Sequence, residues 1–209
     1  MRRFLKTMAS LAAFLIGLAF AGFLTLGPER LWAEFGPPDL GAVDFATLER
    51  STTPSDALAC LPEFCAAKAD LPAPVIARPV NEVFLAVQEA AAREPRLEQV
   101  EADATRGTLR YVQRSKIMGF PDTINVRVAP TANGASAALI YSRSQIGKGD
   151  MGVNLARVKR WSELIVAAAQ KELQIRAKAN GEAALGKYSG SGAAGAAASA
   201  SLHVANYSY

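Results

Sequence analysis

Three kinds of apolar pattern follow one another along the chain. Residues 7–28 carry no charge, and their Leu, Phe, Ala and Ile fill a run long enough, as a helix, to cross a hydrocarbon core. Over residues 81–93, Val83, Phe84, Val87, Ala90 and Ala91 recur at helical spacing, with Asn81 placed to cap the helix and Glu94-Pro95 to stop it. Residues 97–104 and 108–115 then read as paired strands about Thr105-Arg106-Gly107. Residues 123–129 alternate Ile124, Val126 and Val128 with polar neighbours, and Asn133-Gly134 turns the chain into a strand over 137–143. A last helix is expected to start near residues 150–154. It would bury Val158, Trp161, Leu164, Ile165 and Ala168, turn Arg157, Lys159, Arg160 and Glu163 to solvent, and fade by Asn180-Gly181.

These elements predict an α+β fold: an antiparallel sheet of about four strands with two helices covering one face, preceded by one N-terminal transmembrane helix. The expected organisation is a membrane anchor or signal peptide over residues 1–30, a proline-rich segment with a cysteine pair over 31–79, the α+β domain over 80–178, and a tail over 179–209. The tail is mostly Gly, Ala and Ser, a composition that buries too little apolar surface to order itself. His203, the one histidine, falls in it and is expected to be solvated.

Charge assigns the N-terminal helix a direction. Arg2, Arg3 and Lys6 precede the apolar run and the mixed Glu29, Arg30 and Glu34 follow it, which places the amino terminus in the cytoplasm and the domain outside it, in a periplasm. Trp32 and Phe35 suit the headgroup level beyond such a span. The alternative is secretion after cleavage at Ala19-Phe20-Ala21, but a cut there would leave Phe23 and Leu24 exposed at the new terminus, so the uncleaved anchor is favoured. The net charge of +4 is modest and lies largely in the N-terminal basic residues and the last helix, so nucleic acid is not an expected partner.

Residues 36–79 hold seven of the eleven prolines, which argues against long helices and central strands there. Cys60 and Cys65, the only cysteines, are expected to form a small disulfide in an oxidising compartment, in preference to free or redox-active thiols; their spacing is not that of a thioredoxin-like pair. A structural zinc site would need further ligands, and His203 is the only imidazole, so no metal is expected.

Candidate chemistry lies in two loops that echo each other after strand-like runs: Arg114-Ser115-Lys116-Ile117-Met118-Gly119-Phe120-Pro121-Asp122 and Arg143-Ser144-Gln145-Ile146-Gly147-Lys148-Gly149-Asp150. Guanidinium forks on Arg114 and Arg143, hydroxyls on Ser115 and Ser144, and glycine-rich turns through Gly147 and Gly152 at a helix start suit a phosphate or carboxylate. Asp122, Asp150 and Asn154 complete the candidate ligand-binding set. In a tethered domain the anion would be a lipid headgroup, a cell-wall precursor or an acidic loop of an envelope protein. A plainer alternative has the arginines paired with Asp122 and Asp150, the glycines supplying positive φ, and Asp150 capping the helix. A third has the anchor, the spacer and a Tyr-tipped docking tail acting as a scaffold. Catalysis is less favoured. Asp122 and Asp150 could act as acid and base, but a nucleophilic Ser115 or Ser144 would have only Lys116 or Lys148 to activate it. No catalytic residues are therefore assigned, and with neither a Walker nor a Rossmann fingerprint no cofactor is expected.

Gly119-Phe120-Pro121-Asp122, the run from Tyr141 through Met151-Gly152-Val153-Asn154, and the basic helix to Trp161 together resemble domain of unknown function family 1499, over roughly residues 58–164. The resemblance implies a bacterial envelope protein, commonly with an N-terminal membrane segment or lipoprotein signal, and implies no particular reaction. Family members often have a Cys pair spaced one residue wider, with Pro and Asn between; here Pro62 is present and the Asn is not.

Overall fold

The alternating run in the middle of the chain becomes four antiparallel strands, β4 (Leu97–Asp103), β5 (Thr108–Arg114), β6 (Pro121–Pro130) and β7 (Ser136–Ser144), within one residue or two of the pattern that predicts them. A computed structural model describes residues 2–189. It divides the chain into two units, residues 1–169 and 170–209.

The sheet is larger than four strands and is not purely antiparallel. The proline-rich segment contributes β1 (Asp56–Cys60), β2 (Leu71–Pro72) and β3 (Val75–Ile76), and the order is β2-β1-β7-β6-β5-β4, with β3 also pairing with β7. β1 and β2 run parallel, while all other pairs are antiparallel. This corrects the expectation that proline excludes a central strand here. Pro54 and Pro62 flank β1 without entering it, and the short proline-free window between them is buried from Ala57 to Cys60.

Period-two alternation sorts the strands onto two faces. Ala57, Ala59, Leu109, Tyr111, Ile124, Val126, Val128, Ala138 and Ile140 meet the helices α2 (Val80–Ala91) and α3 (Val153–Ser189). All five residues predicted for the inner side of α2 are buried. Its cap is Pro79, whose carbonyl accepts the Glu82 and Val83 amides, and not Asn81. The opposite face carries Leu58, Cys60, Ala137, Leu139 and Tyr141 beneath Phe45, Leu48 and Cys65, so the proline-rich segment forms a third layer. The Cys60–Cys65 disulfide is formed. By loop-closure entropy so short a loop adds about 2 kcal/mol.

Gly107 shows why one turn position is glycine. Its φ is +66°, and a Cβ there would lie 2.6 Å from the Val128 carbonyl oxygen.

The N-terminal helix α1 (Arg2–Ala33) contains an 18-residue stretch, Lys6–Phe23, long and apolar enough to cross a membrane and not buried in the protein. Gly27 leaves helical geometry (φ 75°, ψ 157°) ahead of Pro28, so the last turn to Ala33 departs from the axis of the apolar part. Trp32, in that turn, donates its indole N–H to the Met118 carbonyl and packs its ring 4.6 Å from that of Phe120.

In the second unit α3 stays helical through the predicted stop at Asn180-Gly181 to Ser189. Its residues 170–180 are exposed, and Glu172 and Arg176 form an i,i+4 ion pair of 2.9 Å. The Gly/Ala/Ser tail from residue 190 onward, His203 included, lies outside the described residues.

Candidate functional site

Both candidate loops emerge at one end of the sheet. β5 and β7 are not neighbours but flank β6, running in the same direction. Cross-strand register separates the loop residues by face. Gln113, Asp122 and Ser144 fall in one row on the helix side, while Thr123 and Arg143 lie on the other side with Arg114.

On the helix side the hub is Arg157, which helical periodicity assigns to solvent. It is 5% exposed. Its Nε donates to Gln113 Oε1 at 2.6 Å, one terminal nitrogen to Asp122 Oδ2 at 2.6 Å, and the other to Ser142 Oγ at 2.9 Å and to Asn154 Oδ1. Ser142 Oγ also donates to Asn154 Oδ1 at 2.6 Å, and the Asn154 amide donates to the Ser55 carbonyl and to Ser144 Oγ. Gln113 donates onward to Glu94, which Arg160 grips with two hydrogen bonds of 2.8 and 2.7 Å. Four elements, β5, β6, β7 and α3, and the loops that carry Ser55 and Glu94 are joined by one chain of polar contacts that is buried around Arg157. The missed signal was the polar run at the inner ends of three strands, Gln113, Asp122 and Ser142, which needs a buried cation opposite it.

The remaining candidate residues have local tasks. Ser115 Oγ accepts the Phe120 amide and closes the first loop, whereas Arg114 donates to the Gly119 carbonyl. Arg143 donates to the Leu40 and Gly41 carbonyls, anchoring the proline-rich layer, and stands 5.8 Å over the Tyr141 ring. Asp150 accepts the Gly152 and Asn154 amides at 2.9 and 2.8 Å, as the helix-capping alternative requires. Gly147 and Gly152 have φ of 103° and 80°. Thus Asp122 pairs with Arg157, and Asp150 caps α3. Among the described residues no group of three or more His, Cys, Asp or Glu side chains is placed to hold a metal ion.

A family model described as a protein of unknown function, DUF1499, matches residues 51–165, more than half of the chain and every strand of the sheet. The chain belongs to the DUF1499 family. Within this DUF1499 domain the hub residues Asp122, Ser142, Asn154 and Arg157 all fall inside the matched span. A second model, fructose-bisphosphate aldolase class-I, matches residues 153–209. Over 44 residues the chain is 66% identical to fructose-bisphosphate aldolase 2 of Caenorhabditis elegans; this is 21% of the chain and only 12% of that protein. Composition discards residue order, which is why the Gly/Ala/Ser reading of the tail carried no trace of this likeness.

Two carboxylates tie the DUF1499 domain to pH. Burial alone would raise Glu94, but hydrogen bonds from Arg160 and Gln113 hold it below the usual carboxylate range. Asp56 is likewise opposed by burial and held down by Arg50, Tyr141 and the Ser51 amide. A carboxyl whose folded pKa is depressed contributes stability that is complete above its unfolded pKa and is lost as pH falls through the folded one. The urea midpoint is therefore expected to be level above about pH 5 and to fall below about pH 4. Glu94→Gln should lower the neutral-pH midpoint and flatten the acid slope. An unchanged slope would mean that Glu94 does not carry it.

Proposed function

We propose that this protein is a membrane-anchored binding module, with α1 spanning the bacterial inner membrane, the DUF1499 domain in the periplasm, and an anionic lipid headgroup as ligand. The observation that carries it is a cleft of about 330 Å³ at the loop end of the sheet, lined by Arg96, Arg114, Ser115 and Lys116 with Leu97, Val112 and Ile117. Three cations outnumber one carboxylate, Glu98, and the apolar walls suit the glycerol region of an amphiphile. Arg96 Nε donates to the Arg114 carbonyl, while Lys116 has no hydrogen bond or ion pair to the described residues. The same loop carries Met118 and Phe120, on which Trp32 rests at the end of α1, so the cleft lies beside the point where the anchor joins the domain.

The disulfide and the basic residues at the start of α1, ahead of its apolar stretch, support a location beyond the cytoplasm. The aldolase likeness adds no activity to this reading, because it spans so small a part of that enzyme. Full-length protein in neutral detergent, studied by native mass spectrometry, should retain phosphatidylglycerol over phosphatidylcholine. Replacing Arg96 and Lys116 together by Gln should weaken that retention about 30-fold, from about 1 kcal/mol per surface cation. Equal retention of both lipids, or no change in the variant, would remove the cleft as the site.

A further inference from the structure

Beyond the headgroup cleft, and resting on the proposed span only in taking α1 to cross the bilayer, we infer that the two loops at this end of the sheet insert their apolar tips into the bilayer interface. Ile117 is 81% exposed, Met118 38%, and Met151 fully exposed, while Val153 and Leu155 on the first turn of α3 are about half exposed. Scattered exposed apolar residues need no explanation. These differ because they stand on two loops at one sheet end, with Lys116 and Lys148 beside them, and because that end is fastened to the last turn of α1.

The distance is short. From Leu26, near the end of the uncharged run, to Trp32 is six residues, which across the break at Gly27 span at most about 20 Å even if fully extended. Trp32 touches Met118 and Phe120 directly, so the first loop cannot lie far from the headgroup level at which an interfacial tryptophan settles. Phe35, also exposed, packs on Trp32 with centroids 5.8 Å apart and widens the apolar belt. Lysines beside the tips would keep their ammonium groups among lipid phosphates while their stems follow the apolar residues inward. Met151, at φ 54°, projects from the turn that Asp150 organises through the Gly152 and Asn154 amides, so the second tip is held out by a defined turn.

The test places an environment-sensitive fluorophore on full-length protein in vesicles of mixed phosphatidylglycerol and phosphatidylcholine. Single substitutions Ile117→Cys and Met151→Cys report on the tips, Ile16→Cys on α1, and Thr105→Cys on the opposite end of the sheet. All four positions are exposed, and far-UV circular dichroism checks folding. The expected result is blue-shifted emission at 117 and 151, with quenching by nitroxide lipids and protection from aqueous iodide, and an iodide-accessible Thr105→Cys probe. Iodide access at 117 and 151 with a lipid-quenched probe at 16 overturns the inference and leaves the anchor standing. Iodide access at 16 as well overturns both the anchor and the inference. Iodide protection at the tips without nitroxide quenching means that protein covers the loops, and this too overturns it.

Discussion

Replacing Arg157 by Ala is expected to destabilise the first unit by about 3–5 kcal/mol, because the substitution leaves a buried carboxylate without its cation. Asp122 would lose its 2.6 Å partner, and Gln113 Oε1 and Ser142 Oγ would each lose a donor inside a region closed to solvent. The measurement is urea unfolding of the disulfide-intact chain in neutral detergent, followed by tryptophan fluorescence, with Trp161 the fully buried one of the two indoles. Arg157→Met combined with Asp122→Leu should recover much of the loss. Removing both members of a buried pair costs far less than orphaning one, since no charge is then left without a counterion. If the single variant costs under about 1 kcal/mol, the network is ornamental to stability and these elements are held by apolar contact alone. If the double variant is as unstable as the single one, the cost comes from lost packing around the long Arg157 stem instead of from charge.

The same residue marks the boundary of what is legible in the chain. Apolar periodicity reports only which faces are apolar, and it located both helices, four strands and every buried residue assigned to α2. Arg157 lies at the edge of the apolar stripe of α3, where a charged residue reads as solvent-facing. Its burial depends on Gln113, Asp122 and Ser142 arriving from three strands, and no local window contains all of them. β1 was hidden differently: prolines counted across a long segment masked five residues free of proline. The two echoing loops lie at one end of the sheet, but the fold divides their residues by face. Asp122, Ser144 and Asn154 go to the buried network, Arg143 to the proline-rich layer, and Arg114 with Ser115 to the surface cleft. A repeated motif records similar strand ends, and register decides which side chains meet.

Trp161→Ala is expected to cost about 3–5 kcal/mol, the range for truncating a large aromatic in a close-packed core. The indole is fully buried between α3 and the sheet and meets the Tyr111 ring edge-on, with centroids 5.4 Å apart. Trp161→Phe should cost well under half as much. Trp161 Nε1 and Tyr111 Oη are both buried without a hydrogen-bond partner among the described residues, so the smaller ring forfeits area but also deletes an unmet donor. Tyr111→Phe isolates that second effect. It keeps the ring contact and removes only the hydroxyl, and should leave stability unchanged or raise it by up to about 1 kcal/mol. Far-UV circular dichroism follows unfolding in this series, because the fluorescent reporter is itself altered. A loss of more than about 1 kcal/mol in Tyr111→Phe would show that the hydroxyl is satisfied by an internal water, and the core around Trp161 would then be wet where the apolar lining implies that it is dry.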